Sequence, residues 1–193
     1  MYPSSLDEGR GECVPETALI VIDMLNTYDH EDADALARSV RDVLPQIVAL
    51  RDQAKEREDV LLIYSNDNYD RWHSGRHDLV EQALSGKHPE LVEPIAPTDP
   101  LPFIPKGRHS VFYQTAMSHL LSIEDVKRVV MVGQVTEQCI LYSALDAYLR
   151  GYELVVPRDA VACIDPDLAA AALKMMERNL HAELTPAAQV FAS

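Results

Sequence analysis

The sequence predicts an α/β protein with three layers, in which helices cover both faces of a mostly parallel, doubly wound (Rossmann-like) central sheet. Three observations predict it. The runs Thr17–Asp23, Val60–Ser65 and Arg128–Gly133 are of strand length and almost continuously apolar, as strands covered on both faces are. Stretches with helical periodicity separate them. Strand and helix alternating along one chain is the pattern of a parallel sheet wound by right-handed crossovers.

The elements follow in order. Thr17–Asp23 is a buried strand that ends on a carboxylate. Asp32 to Arg57 carries Leu36, Val40, Leu44, Ile47 and Leu50 at spacings of three and four, one apolar helical stripe, with Pro45 expected to kink or split it. Val60–Ser65 is the second strand. Asn66 to Arg76 is polar and aromatic, and Asp78 to Leu84 forms a short helix. Residues 86 to 106 are rich in proline, which favours an extended loop. A helix over Thr115 to Leu121 precedes the strand Arg128–Gly133. A further helix runs from Glu137 to Arg150, and Gly151 stops it before the strand Tyr152–Val156. Asp165 followed by Pro166 makes a cap and first turn for a last helix reaching Asn179, and Glu183–Thr185 adds an edge strand.

A chain of 193 residues buries well over half of its unfolded surface in one core, so a single domain is expected over residues 16–193. Residues 1–15, polar and rich in Gly, Pro and acidic side chains, read as a flexible arm. The formal net charge of −14 argues against a nucleic-acid partner, because such binding needs Lys and Arg to neutralise phosphates. No apolar run has the length of a membrane span, and the N-terminus lacks the basic start and apolar stretch of a signal peptide, so a cytoplasmic protein is expected. Cys13, Cys139 and Cys163 are too few and too irregularly spaced for a disulfide framework or a cysteine zinc site.

Ligands of open parallel sheets bind beyond the carboxyl ends of the strands, which singles out three places. Asp23, at the end of the first strand, is either a buried acid–base group or a carboxylate that anchors a loop. Cys139 lies in the first turn of a helix after Gly133-Gln-Val-Thr-Glu-Gln138, where free amides and the helix dipole favour the thiolate and offer an oxyanion hole. The alternative is a packing cysteine. Lys106, in Pro105-Lys-Gly-Arg-His-Ser110-Val-Phe112, is an ordinary surface lysine unless its neighbours enlist it. Cys13 and Cys163 lack such placement.

Together these residues resemble the isochorismatase-like cysteine hydrolases, a family that includes nicotinamidases and N-carbamoylsarcosine amidases. The family's V-I-D-M-Q-N is matched by Val21-Ile-Asp-Met-Leu-Asn26, with Leu25 for the glutamine. Its K-x-x-x-S-x-F is matched by Lys106, Ser110 and Phe112, and its G-x-x-T-x-x-C by Gly133, Thr136 and Cys139. The resemblance spans residues 17 to about 185 and is specific because three fragments fall in the right order on the right elements. It implies Cys139 as nucleophile, Asp23 as acid–base partner, Lys106 as electrostatic partner, and a cis peptide at Gln134-Val135 that aims the Val135 and Cys139 amides at an oxyanion. It also implies a homodimer or homotetramer.

The substrate class implied is a small amide, carbamoyl compound or isochorismate-like ether, with no cofactor. Nicotinamidase relatives carry D-x-H after the second strand, whereas Asp67-Asn-Tyr69 puts tyrosine in place of that histidine. Asp70, His73 and His77 are a substitute metal set only if a helix brings them together, so no metal is assigned. Asp67 and Trp72 are candidate substrate contacts, and Asn66, Asp67 and Asn68 either orient Lys106 or simply form a turn. Rival readings are a non-catalytic binding member of the fold and a redox sensor using Cys139, although no resolving cysteine lies near it in sequence. A nucleotide-binding domain is excluded by the lack of G-x-G-x-x-G or a P-loop.

Overall fold

The structure is a computed structural model that describes residues 15–98 and 100–192. The elements, in chain order, are β1 (Thr17–Ile22), α1 (Ala33–Lys55), β2 (Val60–Asp67), α2 (Arg76–Leu84), α3 (Pro89–Val92), β3 (Phe103–Lys106), α4 (Met117–Ile123), β4 (Arg128–Gln134), α5 (Leu141–Leu149), β5 (Glu153–Val155), β6 (Val161–Ala162) and α6 (Pro166–Leu180). The strands pair in parallel in the order β3-β2-β1-β4-β5, and β6 joins the far end of β4.

Continuous apolar runs form the centre of this sheet because both faces of each strand are covered. Leu19 and Val21 of β1 face a core shared with Leu36, Val40, Ile47 and Leu50 of α1. Ala18, Ile20 and Ile22 face the opposite core, with Leu121 of α4, Ala144 of α5 and Met176 of α6. Neighbouring side chains of a strand point to opposite faces, so one apolar hexapeptide supplies two layers. The expected three-layer α/β/α architecture is the one observed.

Several local expectations need correction. Pro45 does not split α1, which runs unbroken from Ala33 to Lys55. Pro45 is exposed, so the carbonyl that loses its partner one turn earlier lies on the solvent side, where water replaces the bond. Residues 86 to 106 are not one loop: they hold the short α3 and then the strand β3. Pro102 and Pro105 disguised that strand. β3 lies at the sheet edge and pairs with β2 through the carbonyls of Pro102 and Lys106, so the N–H that Pro105 lacks belongs to the outer side. Glu183 contributes one parallel bridge to Val155 rather than a full strand. The α6 cap is as expected, Asp165 accepting from the amides of Asp167 and Leu168. The flexible arm foreseen for residues 1–15 falls, but for Pro15, outside the described residues, as does Cys13. Among the described residues no helix is long and apolar enough to cross a membrane.

Strands β1 and β4 are central neighbours whose crossovers lead to opposite sides, so the crevice at their carboxyl ends is the topological switch point of the sheet. Gly133 permits the close approach there. It pairs with Ile22, has a φ of +118°, and a Cβ at this position would stand 2.1 Å from the Ile22 carbonyl oxygen. Gly133→Ala should therefore destabilise the protein by about 3 kcal/mol or more, read from urea unfolding. A change within about 0.5 kcal/mol, the range of neutral surface substitutions, would contradict this packing.

Candidate active site

The chain leaves β1 at Asp23 in the left-handed region, φ 57°, a conformation that Asp tolerates better than most side chains. The Asp23 amide donates to the Ser65 carbonyl at 2.9 Å, which turns the carboxylate toward the end of β2. Its Oδ1 accepts from the Asp67 amide at 2.7 Å, and its Oδ2 meets Lys106 Nζ at 2.8 Å. Gln134, the last residue of β4, donates from Nε2 to the Asp23 carbonyl at 2.6 Å. Asn66 fixes the next turn of chain by accepting from the Leu25 amide and donating to its carbonyl. Leu25, where the family has glutamine, is buried in the α1-side core.

Lys106 ends the edge strand β3 and is 1% exposed, so its ammonium depends on its neighbours for compensation. It donates to Cys139 Sγ at 3.5 Å and lies 3.6 Å from Asp67 Oδ2. Cys139 follows the cis Gln134-Val135 bond and sits in a π-type turn, Thr136–Ile140, that leads into α5. Thr136 Oγ1 anchors this turn to the Ala162 carbonyl, and Glu137 Oε1 accepts from the amides of Ile164 and Asp165. The ends of β1 and β3 and the turn after β4 thus bring Asp23, Lys106 and Cys139 together, each less than a tenth exposed, with Lys106 touching both others.

Burial raises the Asp23 carboxyl above the ordinary carboxylate range, against the opposing pull of Lys106 and the hydrogen bonds it accepts. Lys106 stays firmly charged: burial works to lower it, and the negative charge of Asp23, with Cys139 and Asp67, more than offsets that. Cys139 corrects an expectation. Its position promised a thiolate, yet burial and then the Asp23 charge push the thiol well above its usual value, and Lys106 only partly opposes them.

Asp23 and Cys139 open on a cavity of roughly 590 Å3, whose lining also includes Asp67, Tyr69, Val135 and Gln138. Asp67 is thus at the site, and Val135 and Cys139 both face it. Trp72 is not on the lining: it is 71% exposed, and its indole covers Gly107, where a Cβ would come within 2.8 Å of the ring. Asp70, His73 and His77 are all exposed, and among the described residues no three His, Cys, Asp or Glu side chains converge as a metal set. Cys163 lies away from the cavity, its sulfur 3.6 Å from Ser39 Oγ. Two neighbours escaped notice in the sequence. Gln134 enters there only through the implied cis peptide, without its hydrogen bond to Asp23, and His109 reads as loop, although its Nδ1 lies 3.7 Å from Cys139 Sγ.

The Isochorismatase domain family matches residues 17–189. An uncharacterized isochorismatase family protein of Bacillus subtilis is 31% identical over 175 residues, covering 91% of this chain and 96% of that protein. A ureidoacrylate amidohydrolase of Agrobacterium fabrum is 26% identical over 178 residues, covering 79% of this chain and 78% of the relative. The crystal structure of a nicotinamidase from Staphylococcus aureus superposes with a TM-score of 0.67 at 26% identity, covering 89% of this chain and 98% of the other. The family match over nearly the whole domain, together with the B. subtilis relative, places the protein in the isochorismatase family of hydrolases.

Proposed function

We propose that the protein hydrolyses the amide bond of a small molecule, with Cys139 as nucleophile, Asp23 as acid–base group and Lys106 as the fixed positive charge. The observation that carries this reading is that Asp23 and Cys139 both line the cavity at the switch point while the buried Lys106 contacts each of them. Asp23, held above the ordinary carboxylate range, is a stronger base than a solvated aspartate and takes the thiol proton. The sulfur adds to the amide carbon while the carbonyl oxygen becomes an oxyanion facing the amides of Val135 and Cys139. Collapse breaks the C–N bond. The proton on Asp23 leaves with the amine, and a thioester remains. Asp23 then takes a proton from water, hydroxide adds to the thioester carbon, and the C–S bond breaks. The acid product departs and Cys139 recovers its proton from Asp23.

The cavity favours an amide over an isochorismate-type ether. Besides Asp23 it is lined by Asp29, Asp32, Asp67 and Asp70, and among the described residues no lysine or arginine lines it. Asp29 pairs with Lys87 and Asp70 approaches Arg108, which leaves Asp32 without such a partner among the described residues and Asp23 and Asp67 sharing Lys106. A substrate that carries two carboxylates, as isochorismate does, meets like charge here. A relative's ureidoacrylate also carries a carboxylate, so the chain and that relative are proposed to differ in substrate.

Incubation of the wild type with a panel of small amides should release ammonia and leave an acyl adduct visible by intact mass. Cys139→Ala should lose about a thousandfold or more in kcat and form no adduct. Adduct formation on the alanine variant would remove Cys139 from the mechanism. Within the panel, neutral or cationic amides should exceed carboxylate-bearing amides of equal size in kcat/KM, with the gap narrowing as salt is added. A preference for the anionic members would reverse the assignment.

Activity requires the Asp23 anion, so kcat/KM should rise with pH through a limb above the ordinary carboxylate range. Lys106→Met removes the cation that favours this anion. The limb should move further up, with kcat lower by about a hundredfold and stability lower by about 3 kcal/mol. An unmoved limb in an active, folded variant would show that Lys106 does not act on Asp23.

A further inference from the structure

Among the described residues, His109 is the one titratable side chain in contact with Cys139 that the mechanism above leaves without a role. Its Nδ1 lies 3.7 Å from Sγ, a distance at which a sulfur still takes part in a hydrogen bond. The sulfur therefore has two nitrogen neighbours, Lys106 Nζ at 3.5 Å and His109 Nδ1. They differ in setting, since Lys106 is buried and His109 is exposed.

The imidazole is held in place rather than resting there by chance. Its ring stacks on Tyr142 with centroids 5.5 Å apart and 29° between planes. The residues that follow it are fastened to α5: Ser110 Oγ donates to Asp146 Oδ2 at 2.5 Å, and the Val111 amide donates to Ser143 Oγ at 3.0 Å. The segment that carries Lys106 and His109 is thus bound to α5, the helix into which the Cys139 turn leads, and the separation between imidazole and sulfur is set by that attachment. His109 shares the cavity lining with Asp23, Asp29, Asp32, Asp67 and Asp70 and with His30. On its other side lie Arg108, Tyr113 and Asp146.

We propose that His109 is a further catalytic residue of this site, whose Nδ1–H donates to the Cys139 sulfur and, with Lys106, stabilises the thiolate formed when Asp23 takes the proton. This rests on the cysteine-hydrolase reading above. A neutral imidazole suffices, because the tautomer with its proton on Nδ1 is itself a donor. A donor to sulfur gains strength as charge develops there, so its contribution falls on the step that forms the nucleophile rather than on substrate binding.

The test follows alkylation of Cys139 by iodoacetamide across pH, read on the peptide that contains it, and needs no substrate. His109→Phe keeps a flat ring against Tyr142 and loses the donor. His109→Asn restores an amide nitrogen near the place of Nδ1. The phenylalanine variant should be alkylated about tenfold more slowly at neutral pH, with its midpoint about one pH unit higher, and asparagine should recover most of both. On any amide that the wild type turns over, His109→Phe should lower kcat with KM little changed. Thermal melting of both variants reports on the fold. Equal rates and midpoints for wild type and a folded His109→Phe would overturn the proposal while leaving the hydrolase reading intact. A wild-type Cys139 that resists alkylation at every pH would overturn that reading, and this proposal with it.

Discussion

The site depends on one buried cation. Lys106 brings an ammonium into a sheet end where almost no water reaches it, and such a charge persists only if anions and hydrogen-bond acceptors surround it. Asp23 at 2.8 Å and Asp67 at 3.6 Å supply the compensation, and Cys139 at 3.5 Å completes the environment. The strands that deliver these residues are accordingly fixed relative to one another: β3 through Lys106, β2 through Asp67, β1 through Asp23. Moving one strand end by an ångström would leave a charge stranded in low dielectric, so the ion cluster sets the geometry of the cavity floor as well as its chemistry.

Topology decides where that cluster can form. In the order β3-β2-β1-β4-β5, the chain winds away from the centre in both directions, and the two central strands end side by side with no crossover above them. Asp23 ends one of these strands and Gln134 the other, and Gln134 ties them by donating to the Asp23 carbonyl. The absence of a Cβ at Gly133 lets β4 lie close enough to Ile22 for this contact. A packing requirement at a glycine and a catalytic arrangement a few residues later are therefore one constraint.

How far all this is legible in the sequence depends on whether the signal is local. β1, β2 and β4 can be read directly, because strands covered on both faces must be apolar throughout, and α1 and α6 can be read from spacing and from the Asp165 cap. β3 cannot, since Pro102 and Pro105 break a strand everywhere except at an edge, and being at an edge is a property of the assembled sheet. β6, with two residues, is too short for periodicity to mark it. Asp23, Lys106 and Cys139 stand out because each follows a strand or a turn and because their fragments match a family in order. Trp72 was drawn to the site by its chemistry alone, and the structure spends its ring on covering Gly107 instead. The upward shift of the Cys139 thiol is not legible there, because the helix start favouring a thiolate is local, whereas the burial and the Asp23 carboxylate that oppose it arise only in the assembled fold.

That opposition is consistent with efficient chemistry. In the mechanism proposed above the buried cluster starts with one ammonium, the carboxylates of Asp23 and Asp67, and a neutral thiol. In the proposed step Asp23 accepts the thiol proton, and the same atoms would then hold one ammonium, one carboxylate, one carboxylic acid and a thiolate. The net charge of the cluster is unchanged, and the negative charge moves only from one neighbour of Lys106 to another. A low-dielectric site strongly resists gaining or losing charge and resists far less its displacement around a fixed counter-ion. The upward shifts of Asp23 and Cys139 arise from the same burial, so they raise both proton affinities together. The quantity that governs nucleophile formation is their difference, and that difference is where donors aimed at the sulfur alone act.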